Sequence, residues 1–205
     1  MRKFIVDIET DDIKAKVIHC IVAKDIDKGD VLSWHGDTLK DFAKWSESVD
    51  IFIMHNGISF DAPILNKLTG SKIKLSQVRD TLILSQLSDP MLEGGHSLKA
   101  WGKRLGYHKM DFDVEDFDGG LTDEMIEYCI ADVELTEQVH KWLEMQLSNE
   151  NFSQQSIDLE HSVGWAVTEQ EQNGFKLDTE YADKLMMDLM FEMNNIEAEL
   201  QSIFP

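Results

Sequence analysis

The chain opens on an alternation that ends in acids. Phe4-Ile5-Val6-Asp7-Ile8-Glu9 is apolar and rich in β-branched residues, and it reads as a buried strand. Side chains alternate along a strand, so Asp7 and Glu9 point to one face. Val17–Ala23 and Val31–His35 read as two more strands, the second entered through the turn Asp27-Lys28-Gly29-Asp30. Three strands joined by short turns predict an antiparallel meander. Asp37–Ser48 reads as a helix with Leu39, Phe42, Ala43 and Trp45 on one side. Ile51–Met54 is a short apolar strand, followed at once by His55-Asn56-Gly57. Ser59–Thr69 then reads as a helix that tolerates Pro63 near its first turn and is closed by Gly70.

The second half reads as helices. Asp80–Leu87 is stopped by Asp89-Pro90, and Ser97–Leu105 is ended by Gly106. Asp111–Gly120 reads as an acidic loop. Leu121–Leu147 is a long helix with Met125, Tyr128, Cys129, Asp132, Leu135, Val139 and Trp142 along a stripe. Asn149–Ser156 is polar and reads as a linker, with helices Ile157–Gly174 and Thr179–Phe204 beyond it. In the last helix Leu185, Leu189, Met193, Ile196, Leu200 and Ile203 form a stripe that reads as core facing the preceding helix. Any part left uncovered would favour self-association. Strands early, helices late and a βαβ-like middle predict an α/β fold: a mixed sheet flanked by helices over residues 1–148, and a C-terminal helical appendage over 149–205.

Composition narrows this picture. The 205 residues, 42% of them apolar, suffice for one substantial domain with an appendage. No apolar run approaches the ~20 residues of a membrane span, and Met1-Arg2-Lys3-Phe4 leads into the first strand without a cleavable signal pattern. Cys20 and Cys129 sit in apolar settings and read as free thiols of a reducing compartment. The net charge of −20 lacks the basic stripe of a duplex-wrapping protein. It leaves room for a site that grips only a strand end, where bound cations supply the positive charge.

The candidate chemistry begins at Asp7 and Glu9. Two carboxylates on one strand face repel each other, and burying them is costly without a compensating charge such as a divalent cation. The plain alternative is a strand that turns polar at Glu9-Thr10-Asp11-Asp12. Further acids recur where a metal site would need them. Asp61 lies near the first turn of the helix after the fourth strand, and Tyr128 and Asp132 are four apart on one helix face. Alone, Asp132 is an ordinary solvated acid and Tyr128 a half-buried core tyrosine; the specific signal is the constellation. Other metal readings fare worse. None of the seven histidines pairs with a cysteine at zinc spacing. In Asp113–Asp118, Phe117 takes a ligand position of a calcium loop and Asp118 stands where its turn needs Gly. There is no phosphate-binding glycine loop and no Gly-x-Ser-x-Gly elbow.

Asp7-x-Glu9, Asn56-x4-Asp61 and Tyr128-x3-Asp132 resemble, in order and spacing, the motifs of the DEDD exonuclease superfamily, tyrosine subclass. More narrowly, the chain resembles the proofreading 3′–5′ exonuclease domain of a phage (podovirus-type) family A DNA polymerase. His55-Asn56-Gly57 with Phe60-Asp61, the stretch Asp80–Ser85, and His96-Ser97-Leu98 with Trp101-Gly102 and Leu105-Gly106 carry that resemblance. So do Leu159-Glu160-His161 and Glu171–Phe175, which in such polymerases lead into the thumb. On this resemblance the chain ends in the first thumb helices, either as an excised fragment or as an exonuclease encoded apart from its polymerase.

The resemblance implies a ribonuclease-H-like sheet and a two-metal exonuclease that releases nucleoside 5′-monophosphates from DNA 3′ ends. Two cations, Mg²⁺ or Mn²⁺, would be held by Asp7, Glu9, Asp61 and Asp132, with Asp7 bridging both. Tyr128 would orient the attacking water, and Asn56 and Phe60 would seat the terminal nucleotide. The implied partners are single-stranded DNA or a frayed 3′ end and a family A polymerase module in cis or in trans, with no membrane. The implied setting is the cytoplasm of an infected bacterial host. An RNA-trimming exoribonuclease of the same superfamily, or a non-catalytic polymerase-docking module, is the alternative; dead sites usually lose an acid, and all four are present here.

Overall fold

The computed structural model describes residues 1–107 and 121–204. The acidic loop Asp111–Gly120 and its calcium-loop-like stretch lie outside these residues. Five strands form one mixed sheet in the order β3-β2-β1-β4-β5: β1 Lys3–Thr10, β2 Ile18–Asp25, β3 Val31–His35, β4 Ile51–Met54 and β5 Val78–Asp80. β1, β2 and β3 are the expected antiparallel meander, and β4 and β5 add in parallel on the other side of β1. β5 is absent from the sequence reading. It is three residues long with Arg79 at its centre, too short to show a period of two.

The alternation of β1 divides the core. Phe4, Val6 and Ile8 pack on one face with Trp34, Phe42, Phe52, Met54 and Leu65, under α1 (Leu39–Ser46) and α2 (Asp61–Thr69). Ile5, on the other face, packs with Cys20, Val22, Ile53, Met125, Cys129 and Val133. The last three come from α5 (Asp123–Asn149), which is capped by the Thr122 hydroxyl accepting from the Met125 N–H. A third cluster joins α5 to α3 (Thr81–Ser88) and α4 (Leu98–Leu105) through Leu84, Leu98, Trp101, Leu135, Val139 and Leu143.

The chain divides into two compact units, Met1–Glu169 and Gln170–Pro205. The division falls within α6 (Gln154–Asn173), whose residues through Glu169 belong with the sheet. In the second unit, α7 (Thr179–Ile203) has no buried residue. Leu185, Leu189, Met193, Ile196, Leu200 and Ile203 are all exposed. No helix among the described residues is long and apolar enough to cross a membrane.

Candidate active site

β1 outruns one of its neighbours. Its parallel pairing with β4 covers Lys3 to Ile5, whereas its antiparallel pairing with β2 continues to Thr10. Asp7 and Glu9 therefore lie where β1 has one strand partner and an open edge. The chain leaving β4 brings Asp61 to that edge, and the Asp61 carboxyl takes a hydrogen bond from the Ile8 backbone. From the face of the sheet, α5 brings Tyr128, Cys129 and Asp132. Asp132 is buried, and Tyr128, one turn earlier, is half-buried. The Cys129 thiol donates to Asp7 Oδ2 at 3.4 Å.

The charges of the four acids act on one another. Burial pushes the Asp7 carboxyl well above the ordinary range, and the charges of Asp61, Asp132 and Glu9 push it further against the Cys129 hydrogen bond. Asp61 is pushed up to about 8 by burial and by the charges of Asp80 and Glu9, opposed by hydrogen bonds from its own backbone and from that of Ile8. Burial, the Cys20 thiol and the Asp7 charge keep the Cys129 thiol protonated. Such a group of acids is held together against its own repulsion, and a divalent cation removes that cost.

The donor set fits a hard cation. Asp7, Glu9 and Cys129 each offer a ligand atom, all within 4.8 Å of one another. Carboxylate oxygens suit Mg²⁺ or Mn²⁺, whereas a protonated thiol is a poor ligand. Of the four carboxylates implied as ligands by the sequence resemblance, Asp7 and Glu9 belong to this group, and Asp61 and Asp132 lie near enough for their charges to raise Asp7.

The loop from β4 to α2 has a definite construction. A Cβ at Gly57 would lie 2.2 Å from Met54 Cβ, so only glycine lets the chain fold back here. Asn56 takes the left-handed conformation (φ 64°) that asparagine tolerates better than most residues. This turn points backbone N–H groups at Asp80, at the end of β5. The Asp80 carboxylate accepts from the N–H of Asn56 (2.9 Å), of Ile58 (3.0 Å) and, as the N-cap of α3, of Leu82 (2.9 Å). The Asn56 residue is exposed, while Phe60 is half-buried with its ring against the core of the α1 and α2 face.

Asp80 is not among the site candidates read from the sequence. Its one local signal, an Asp before an apolar helix, marks any N-cap. Only the fold shows that the same carboxylate also anchors the loop leading to Asp61.

No protein-family profile matches the chain. Among curated proteins it is 26% identical, over 97% of its length, to the DNA-directed DNA polymerases of Enterobacteria phage T3 and Escherichia phage T7. It spans 36% of the length of these relatives. Among solved structures, Brucella melitensis NrnC with bound Mg²⁺ superposes with a TM-score of 0.63 at 19% identity, covering 84% of this chain and 86% of that one. NrnC bound to pGG gives a TM-score of 0.64 over 84% and 85% of the two chains. The chain thus has a ribonuclease-H-like mixed-sheet fold, shared with NrnC, and resembles, over nearly all of its own length, the polymerases of phages T3 and T7.

Proposed function

We propose that the protein is a 3′–5′ exodeoxyribonuclease that removes nucleoside 5′-monophosphates from DNA 3′ ends, proofreading for a family A DNA polymerase in cis or in trans in the cytoplasm of a phage-infected bacterium. The observation that carries this reading is the convergence of Asp7, Glu9, Asp61 and Asp132 at the open end of β1. The likeness to the phage polymerases supports it.

Each residue has a part. Asp7, Glu9, Asp61 and Asp132 hold the divalent cations, Asp7 from the centre of the group. Two such cations, when bound, activate water and stabilise the leaving oxygen of an in-line displacement. Tyr128 directs its hydroxyl at the attacking water and fixes its orientation. Phenols are poor bases at neutral pH, so its part is orientation rather than proton abstraction. Asn56, on the loop anchored by Asp80, meets the terminal nucleotide, and Phe60 backs the same loop. Cys129 holds the Asp7 carboxylate from below.

With a net charge of −20 the protein has little means of separating paired strands. Single strands and frayed or mismatched 3′ ends are therefore the preferred substrates, because they are the least costly to unpair.

The test is digestion of matched single-stranded DNA and RNA oligonucleotides, blunt DNA duplex and 3′-mismatched duplex, with Mg²⁺, with Ca²⁺ and with excess chelator. The expected result is stepwise loss of 5′-monophosphates from the 3′ end of single-stranded and mismatched DNA, little turnover with Ca²⁺, and none in chelator. Faster digestion of RNA would make the protein an RNA-trimming enzyme, and undiminished activity in chelator would remove the metal-dependent reading.

A further inference from the structure

α6 follows the nuclease elements in sequence, yet it is hydrogen-bonded to the loop that leads to Asp61. Three of its residues, His161, Gly164 and Thr168, recur at spacings of three and four and so lie along one face. His161 and Thr168 are buried, at 8% and 4% exposure, although most of the helix is exposed. Gly164 lies between them, where a Cβ would stand 2.6 Å from Ile83 Cδ1 of α3. The face is thus closely fitted, and its contacts are polar at both ends.

Those polar contacts have a definite sense. His161 Nδ1 lies 2.8 Å from the Ile157 carbonyl, which can only accept, so Nδ1 carries the proton. Nε2 is then free to accept, and the Asp80 N–H donates to it at 2.9 Å. Asp80 is the residue whose carboxylate holds the N–H groups of Asn56 and Ile58. Seven residues on, the Thr168 hydroxyl donates to the Gly164 carbonyl at 2.9 Å. Its oxygen is left to accept from Ser59, whose Oγ lies 3.1 Å away. Ser59 sits between Ile58 and Phe60, in the same loop. One helix face therefore reaches the loop twice, through Asp80 and directly at Ser59.

We infer that His161 and Thr168 are positioning residues that fix the Asn56–Phe60 loop for the 3′-terminal nucleotide. The inference rests on the nuclease reading of that loop. A loop held at two points keeps its geometry before substrate arrives, so less ordering is left for the binding step. Releasing either point should cost strand-end affinity rather than the chemical step, because the acids at β1 and on α5 are untouched and the Asp61 carboxyl keeps its own hydrogen bond from the Ile8 backbone.

The full chain with His161→Ala, His161→Gln, Thr168→Val or Ser59→Ala tests this by two independent readouts. The first is amide hydrogen exchange of the 56–60 segment without nucleic acid. His161→Ala and Thr168→Val should each speed it about 2- to 10-fold, the equivalent of one lost hydrogen bond. His161→Gln, which restores an acceptor, should return it toward wild type. The second is steady-state digestion of single-stranded DNA, where KM should rise about 2- to 10-fold while kcat stays within about 2-fold, the pattern of lost binding equal in ground and transition states. Thr168→Val combined with Ser59→Ala should be no worse than either alone. Unchanged exchange in both His161→Ala and Thr168→Val, or a fall in kcat with KM unchanged, would overturn the inference. If the wild type digests no nucleic acid, the nuclease reading fails instead, and the exchange data still decide whether α6 fixes the loop.

Discussion

The Cys129 thiol donates a hydrogen bond to the Asp7 carboxylate, Sγ to Oδ2 at 3.4 Å, in the core beneath the four converging acids. It is a neutral donor under the carboxylate that meets the charges of the other three. It steadies Asp7 without competing with the acids for a cation, because burial keeps the thiol protonated. Cys129→Ala should weaken Mn²⁺ binding about 2- to 10-fold, the equilibrium worth of one hydrogen bond. Cys129→Ser, which keeps a donor, should lose less. Calorimetric titration checks both, and equal affinity in all three proteins would reduce Cys129 to a packing residue.

A second prediction follows from the raised carboxyls. Burial and the charges of Asp80 and Glu9 push the Asp61 carboxyl up to about 8 from an ordinary 3.8, and Asp7 is shifted the same way. Between those values the folded state holds more protons than the unfolded one, so this contribution to stability falls as pH rises. In chelator, Tm should decline from pH 5 toward pH 8, and Asp61→Asn should flatten the decline. Mg²⁺ competes with the protons, so its stabilising effect should be larger at pH 8 than at pH 6. Thermal melts across this range with and without Mg²⁺ give the result.

Asp80→Ala leaves three backbone N–H groups without their acceptor. The buried position should make the loss on the order of 2–4 kcal/mol in urea unfolding. Asp80→Asn keeps one carbonyl oxygen and should lose about half as much. A loss under about 0.5 kcal/mol for Asp80→Ala would mean that the loop finds other partners.

How much of this was legible in the sequence depends on the range of the interaction involved. The strand β1 and its two acids could be read because alternation is local, and β4 and the α5 stripe for the same reason. The acids at Asp61 and Asp132 stood out only as part of spaced motifs. β5 could not be read, since Val78-Arg79-Asp80 is too short to carry a pattern. The polar stretch Asn149–Ser156 reads as a linker, yet α6 already begins at Gln154. Its first turn, Gln154-Gln155-Ser156, is wholly polar and carries no apolar period, so only the helix from Ile157 onward could be read. The apolar stripe of α7 illustrates the limit in the other direction: spacing shows that a face exists, not what covers it. Asp80 escaped notice because its partners Asn56 and Ile58 are brought to it by the parallel pairing of β4 with β5.

The Tyr128 and Asp132 side chains share a helix, but they should not share a phenotype. Asp132→Ala removes a buried carboxylate, so Mg²⁺ affinity and turnover should fall together. Tyr128→Phe removes one hydroxyl and leaves the ring to pack. It should keep metal and strand-end affinity while single-turnover cleavage slows by on the order of 10- to 1,000-fold, in the range of one lost positioning group. Tyr128→Phe at wild-type rate would make the residue a core tyrosine and nothing more.

Asp7 is the acid that meets the charges of all the others. The decisive measurement is single-turnover digestion of a 5′-labelled single-stranded DNA by wild type and by Asp7→Ala across a Mg²⁺ titration, with folding of the variant verified by its thermal melt. The wild type should shorten the strand one nucleotide at a time from its 3′ end, with a rate that rises with Mg²⁺ and saturates. The variant should lose the rate by at least about 1,000-fold at every concentration, the order of loss expected when transition-state charge goes unstabilised. A folded Asp7→Ala protein that digests the strand within a few-fold of wild type would contradict the placement of the site.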